Sequence, residues 1–228
     1  DKMKKLGFLL TLFVFLSACK EDITEPTPDL EVQESQDLTV RIHHKFDGKP
    51  LVFNDEVYTL ASGEEVNFSR LAYLMADFYL ENEAGERFDF ENLYAFINAN
   101  KQDSFTLNGL PQGTYKAFGF TVGLDSTRNH GDPNQWPTDH PLSPINNSLH
   151  WSWQGGYIFT AIEGGLSSGW DYFVFHLAGS MNTKEYRVAI DLEKTAGPAT
   201  LDLDYLLDEV FVNPEVFSLE KDGKSAHS

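Results

Sequence analysis

The chain has 228 residues, 17 basic and 35 acidic, so its formal charge is −18. With 41% apolar and 14% aromatic residues it can bury a hydrophobic core, which excludes wholesale disorder. The acidic balance argues against a nucleic-acid binder, because phosphate contacts require clustered Lys and Arg. A single cysteine excludes a disulfide framework and any multi-cysteine metal centre.

The first residues have the pattern of a secretory signal. Three lysines precede a short apolar run, Leu6 to Leu16, and small residues lead to Cys19. A cysteine at the cut site is typical of a bacterial lipobox. We therefore expect a signal peptide over residues 1–18, lipidation of Cys19, and an outer-membrane lipoprotein that faces the periplasm or the cell surface. The lipid would be its membrane contact.

Composition divides the remaining chain into three parts. Residues 19–37 hold the cysteine, many carboxylates and two prolines without an apolar period, which indicates an acidic tether. Residues 38–213 carry most of the apolar and aromatic side chains and are predicted to form one domain. Residues 214–228 are predicted to be a polar tail.

Alternating apolar and polar residues predict an all-β domain. From Leu38 to Phe46 every second residue is apolar or His, as in a half-buried strand. The segment Leu71–Leu80 alternates less cleanly and could suit a helix, and Tyr205–Phe211 also has a helical pattern. We expect an antiparallel β-sandwich of the immunoglobulin-like or Greek-key kind. Further strands are predicted within 105–124 and at 151–154, 157–162, 172–177, 185–192 and 200–205.

One long loop interrupts the strands. Residues 125–147 contain four prolines, Trp136 and two histidines. Long segments without regular structure are commonly functional or disordered, and the aromatic content favours a functional loop.

Histidines on apolar strand faces are the most unusual feature. His44 shares a face with Val40 and Ile42, and His176 lies in the apolar run Tyr172–Leu177. A buried imidazole needs a hydrogen bond or a metal ion, so both predicted inward histidines are candidate ligands. No familiar catalytic motif occurs, and the scattered carboxylates suggest no acid–base pair. We therefore do not expect an enzyme.

Five segments, in this order along the chain, resemble the MbnP-like family, which includes methanobactin-associated and copper-repressible surface proteins of methanotrophs and many Bacteroidetes lipoproteins. The resemblance spans roughly residues 38–212. The segments are HHKFDGKPL (43–51), LPQGTY (110–115), FTVGLDSTRN (120–129), HWSWQGGYIF (150–159) and FVFHLAG (173–179).

The resemblance implies a β-sandwich that binds copper through two histidines and a tryptophan oxidised to kynurenine by a MauG-like diheme c-type oxidase. Carried onto this chain, the metal ligands would be His44 and His176, and the modified residue Trp151 or Trp153. Apolar walls and neutral imidazoles favour Cu(I). The implied role is copper acquisition, storage or sensing.

Other residues and functions stay open. Secondary metal candidates are His43, His150, Asp125 and Asn129, with His130 and His140 nearby in sequence. Asp125 and Asn129 could offer oxygen ligands to Ca²⁺, although Asp and Asn also cap turns. The alternatives are zinc at the same histidines, or an interaction or carbohydrate-binding module in which Trp136 stacks on a sugar.

Overall fold

Two β-sheets contain most of the residues in the computed structural model, which describes residues 37–152, 155–167, 169 and 171–227. The predicted signal peptide, Cys19 and nearly all of the predicted tether lie outside these residues. Among those described, no helix combines the length and apolar character needed to cross a membrane. The strands are β1 (Leu38–Phe46), β2 (Lys49–Pro50), β3 (Tyr58–Thr59), β4 (Glu65–Asn82), β5 (Arg87–Asn98), β6 (Ser104–Leu107), β7 (Gly113–Val122), β8 (His150–Ser152), β9 (Gly156–Leu166), β10 (Tyr172–Ala178), β11 (Lys184–Lys194), β12 (Ala199–Leu206) and β13 (Ser225–His227). The helices are α1 (Ser126–Asn129), α2 (Pro144–Asn147) and α3 (Leu219–Asp222), with 3₁₀ turns at Pro133–Gln135, Ser180–Asn182 and Asp208–Phe211.

The strand pairing confirms the predicted all-β sandwich. A four-stranded sheet has β1 at its centre, paired with β12, β2 and β6. A nine-stranded sheet has the order β11-β7-β4-β9-β10-β13, with β3 and β5 also on β4, and β8 on β9. Most pairs are antiparallel, but β1 with β12 and β10 with β13 run parallel. The parallel pairs join segments far apart in sequence, which local alternation cannot reveal.

The main core lies between the two sheets. As the alternation predicts, β1 turns Val40, Ile42 and His44 inward and leaves His43 exposed. The opposing side chains come largely from β4, including Phe68 and Tyr73. Burial of these side chains is the largest favourable contribution to the stability of such a sandwich.

A second core covers the other face of the nine-stranded sheet. Alternate residues of β4 divide between the two cores: Leu71 and Tyr73 face the first, whereas Ala72 and Leu74 face the second. A strand buried on both faces reads as a continuous apolar run. The helical alternative for Leu71–Leu80 is therefore wrong, because double-sided burial, not helical periodicity, explains its pattern.

The predicted long loop forms the lid of this second core. Leu142 and Leu149 are buried against the sheet, and the Tyr157 hydroxyl donates a hydrogen bond to the Leu142 carbonyl at 2.6 Å. The Asn129 side chain accepts a 2.8 Å hydrogen bond from the Tyr157 backbone N–H. The loop therefore packs against the nine-stranded sheet and covers one of its faces. We call this face the outer face of the nine-stranded sheet.

The structure corrects the prediction for the end of the domain. Residues 214–228 were expected to be a polar tail, but Leu219 is buried in the main core and β13 adds to the nine-stranded sheet. The segment is anchored by a few apolar side chains among polar ones, which composition does not detect. The helix expected over Tyr205–Phe211 is confined to the 3₁₀ turn Asp208–Phe211, because β12 extends to Leu206.

Candidate metal centre

His44 is a core histidine whose Nε2 atom has a hydrogen-bond partner within the protein. It is 8% exposed, and its Nε2 shares a 2.9 Å hydrogen bond with the Tyr73 hydroxyl. The Tyr205 ring packs beside it, with ring centroids 5.6 Å apart. Burial lowers the pKa of His44 to about 4, although the charge of Asp103 opposes the shift. At neutral pH this is an uncharged imidazole among aromatic rings.

His176 lies on the outer face. In the strand register it pairs with Ala161, which pairs with Ala72 of the second core, whereas Tyr73 beside His44 faces the first. The prediction that His176 points inward is therefore wrong: the residues of β10 that pack against the main core are Phe173 and Phe175. His44, on the four-stranded sheet, packs against the inner face of the nine-stranded sheet, whereas His176 projects from the outer face of that sheet. The prediction that they share one metal ion is corrected accordingly.

A carboxylate fixes the orientation of the His176 ring. Glu163 Oε1 lies 2.9 Å from His176 Nε2 and 3.0 Å from Arg70 Nη1. Burial raises the pKa of Glu163, but the hydrogen bond from His176 and the charge of Arg70 outweigh it, so that pKa lies below its ordinary value. An ionised carboxylate only accepts hydrogen bonds, so His176 Nε2 carries the proton and donates it.

The other nitrogen of His176 is left as a lone-pair donor. Nδ1 is buried and has no hydrogen-bond partner among the described residues. Buried polar atoms are nearly always satisfied, so an unpartnered imidazole nitrogen calls for an explanation. A histidine that donates one ring N–H to a carboxylate and offers the other nitrogen has the arrangement found at metal ligands.

Two further rings surround His176. The ring centroids of Trp151 and His227 lie 6.1 and 5.3 Å from that of His176, and 6.0 Å from each other. We call these three residues the His–Trp cluster. Trp151, on β8, is 41% exposed, so the cluster opens to solvent on its indole side. Arg70 also reaches the Ser148 carbonyl at 3.3 Å, which ties the chain just before β8 to the Glu163 carboxylate.

The remaining candidate histidines lie elsewhere. His43 is on the outside of the four-stranded sheet, with Nε2 2.8 Å from Asp202 Oδ1. His150 packs edge-on against the Tyr157 ring at 4.6 Å, and burial lowers its pKa. His140 is stacked on Trp136 with centroids 4.1 Å apart. His130 follows helix α1 as its C-cap. The cluster contains none of these four residues.

The oxygen ligands considered for Ca²⁺ are engaged in the loop. Asp125 accepts a hydrogen bond from the Arg128 backbone N–H at 2.9 Å and pairs with its guanidinium at 2.8 Å. Asn129 holds the Tyr157 N–H, as described above. Asp125 thus has the turn-capping role, and the structure lends no support to calcium here. Within the described ranges there is no group of three or more His, Cys, Asp or Glu suited to a metal ion.

His227 is not among the ligands predicted from the sequence, and that prediction did not choose between Trp151 and Trp153. His227 stands among polar residues, and its position opposite His176 depends on the parallel pairing of β13 with β10, for which no local signal exists. Trp153 lies outside the described residues, as does Cys19, so Trp151 is the tryptophan that the structure places beside a candidate ligand.

The fold and the cluster together define a β-sandwich protein with a candidate imidazole metal centre on the outer face of its larger sheet. The model of the MbnP family matches residues 35–227, so the chain belongs to that family. MbnP from Methylosinus trichosporium has a similar structure, with a TM-score of 0.52 and 17% sequence identity over 74% of this chain and 76% of that chain. That likeness concerns the fold. No curated protein matches the sequence.

Proposed function

We propose that this protein binds copper at the His–Trp cluster, with His176 Nδ1 as its principal ligand. The observation that carries the proposal is the buried, unpartnered Nδ1, on a ring held by Glu163, in a chain of a family associated with copper. Imidazole nitrogen is a suitable ligand for copper, and soft, closed-shell Cu(I) accepts a small set of neutral donors. The residues present therefore fit the ion.

The residues around His176 would support copper binding in different ways. Glu163 fixes the tautomer and raises the basicity of the ring, and Arg70 keeps that carboxylate ionised. The indole of Trp151 lies on the solvent side of the site and can place its π face toward a cation. Copper is cargo here, for acquisition, storage or sensing, and we assign no catalytic role to the chain.

A modified tryptophan is the finer part of the proposal. We propose Trp151, because of its contact with His176, as the residue that a MauG-like diheme c-type oxidase converts to kynurenine. The oxidase would use dioxygen, or two equivalents of hydrogen peroxide with release of two waters, to cleave the C2–C3 bond of the indole and place one oxygen atom on each carbon. Hydrolysis then releases C2 as formate and leaves an aryl amine and a ketone, either of which could add a ligand. Trp153 is the alternative.

The location of the protein is also a proposal. A lipid on Cys19 would hold the domain at the outer membrane through the acidic tether. Metabolic labelling with a fatty-acid analogue tests it: label should enter the native chain and be absent from Cys19→Ser. Label retained in that variant would contradict lipidation at Cys19.

The carbohydrate-binding alternative receives no support from the loop. Trp136 is half-buried, stacked on His140 at an interplanar angle of 7° and edge-on to Tyr94. One face of the indole is thus occupied within the protein. Sugar stacking requires an exposed aromatic face, and this ring instead helps to pack the loop.

Metal content tests the proposed function. The full chain, isolated without an affinity tag from cells grown with copper and zinc, should contain one copper ion per molecule. His176→Gln should lose that copper, whereas His43→Gln, which changes an exposed histidine on the other sheet, should retain it. Zinc in place of copper, or copper unchanged in His176→Gln, would overturn the proposal.

A further inference from the structure

The last described strand brings a second imidazole to His176. β13 pairs in parallel with β10 over three positions, and His227 is directly opposite His176. Residues paired in this way project from the same face of the sheet, and neighbouring strands are about 4.8 Å apart. The two rings are 5.3 Å apart at an interplanar angle of 75°, so their edges can converge on one point.

We propose that His227 is the second protein ligand of the copper site, so that β10 and β13 together hold the ion. This inference rests on the proposed function and adds a residue to it. Imidazole nitrogens bind first-row metal ions at about 2 Å, so two rings on adjacent strands can reach one ion after small side-chain rotations. His227 is exposed, whereas the ring of His176 is oriented by Glu163.

The placement of the other described histidines supports this choice. His44 belongs to the four-stranded sheet and lies between the two sheets, hydrogen-bonded to Tyr73. His150 is held against Tyr157, and His140 against Trp136. Among the described histidine rings, the one in contact with His176 is that of His227.

The indole completes the geometry. Trp151 is at nearly the same distance from both imidazoles, 6.1 and 6.0 Å between centroids, and closes the third side of the cluster. An ion held by the two imidazoles would face this ring. The arrangement joins three separate strands, β8, β10 and β13, at one ion.

Copper should therefore fasten β13 to the sheet. The strand is three residues long and is preceded by a 2.8 Å hydrogen bond from the Val174 N–H to the Lys224 carbonyl and a 2.7 Å ion pair between Lys224 and Asp171. Such a short edge strand opens easily, and a metal ion that binds only the closed form shifts this local equilibrium. Amides of residues 225–227 should exchange more slowly when copper is bound.

The test compares His227→Gln, His176→Gln and the control His43→Gln in the full chain. Cu(I) affinity is measured by competition with a chromophoric chelator, and amide exchange is followed with and without copper. His227→Gln should bind Cu(I) roughly 10- to 100-fold more weakly than the native chain and lose the copper-dependent protection of residues 225–227. His43→Gln should match the native chain in both readouts.

The outcomes separate the two proposals. Native affinity and native protection in His227→Gln, with copper lost from His176→Gln, would remove His227 from the site and leave the proposed function standing. Failure of the native chain to bind copper would overturn both. Circular dichroism of each variant establishes that the substitution has not unfolded the domain.

Discussion

Glu163 Oε1 and His176 Nε2 are 2.9 Å apart, and this contact determines which nitrogen of His176 can bind a metal ion. Because the carboxylate accepts the Nε2 proton, the free lone pair is on Nδ1, the atom that has no other partner in the described structure. The candidate site is thus defined by a residue that would not itself touch the ion.

The first prediction concerns this carboxylate. Glu163→Gln removes the charge that orients His176 and pairs with Arg70, so Cu(I) affinity should fall about 10-fold or more. Glu81→Gln is the matched control, since Glu81 also pairs with an arginine, Arg187 at 2.6 Å, on the same sheet. Chelator competition measures both. Equal affinities for the two variants would show that Glu163 does not support the site.

The second prediction concerns His44, which lies outside the proposed copper site. The pKa of His44 is about 4 in the folded chain and 6.5 in an ordinary environment. Between these values the unfolded chain binds a proton that the folded chain does not, so stability falls as the pH drops from 6.5 toward 4. The loss is of the order of 3 kcal/mol at most.

The measurement is urea-induced unfolding of the metal-free chain at pH 7 and pH 5. His44→Gln should lose part of this pH dependence and be less stable at pH 7, because the Tyr73 hydroxyl loses its partner, yet its Cu(I) affinity should be unchanged. A large drop in the Cu(I) affinity of His44→Gln would show that His44 belongs to the copper site.

The features of this structure that could be predicted are those that the alternation of apolar and polar residues along a single strand determines. β1 is half-buried, so its period of two placed His44 inward and His43 outward. For β10 the same reasoning turned His176 toward the wrong face, since Tyr172, which shares a face with His176, is 69% exposed. Both faces of the larger sheet are covered, so an apolar run does not indicate which one meets the other sheet.

The part of the candidate site that the sequence did not predict depends on pairing between strands far apart in the chain. His227 is far from His176 in sequence, and its sequence neighbours are mostly polar. Neither hydrophobic alternation nor local composition therefore identifies His227 as a candidate ligand. The resemblance to the family named His176, His44 and a tryptophan as ligands of one ion. Trp151 lies beside His176 in the structure, but His44 does not. Only the strand register shows that β13 delivers a different imidazole.

The third prediction concerns Gly156, the first residue of β9. Gly156 has φ +67°, and a Cβ there would lie 2.5 Å from Asn129 Oδ1, the atom that binds the Tyr157 N–H. Gly156→Ala should destabilise the domain by about 1–3 kcal/mol and loosen Trp151, thereby weakening copper binding. Gly85→Ala, at φ +80° with open space, measures the backbone strain alone. Equal destabilisation of the two variants would contradict the steric argument.

The fourth prediction is that a chain beginning at Gln36 folds without the predicted tether and lipid. β1 begins at Leu38, and its inward side chains supply one wall of the main core. The shortened chain should be soluble and unfold in one cooperative transition in urea. Aggregation, or a broad transition absent from the full chain, would indicate that the tether contributes to the fold.

The fifth prediction addresses tryptophan chemistry. Expressed alone, the chain should retain all its indoles; expressed with a competent diheme oxidase, Trp151 should acquire the mass and near-ultraviolet absorbance of kynurenine. Trp151→Phe should abolish the product, whereas Trp153→Phe should leave it in place. Peptide mapping decides between them, and a product that persists in Trp151→Phe would assign the modification to another residue.

The position of the copper ion distinguishes the proposed site from every alternative, and anomalous diffraction at the copper absorption edge locates the ion directly. In crystals of the copper-loaded protein, we expect one strong anomalous peak about 2 Å from His176 Nδ1, on the side of His227 and Trp151. A peak beside His44 between the sheets, or no peak within bonding distance of His176, would contradict it.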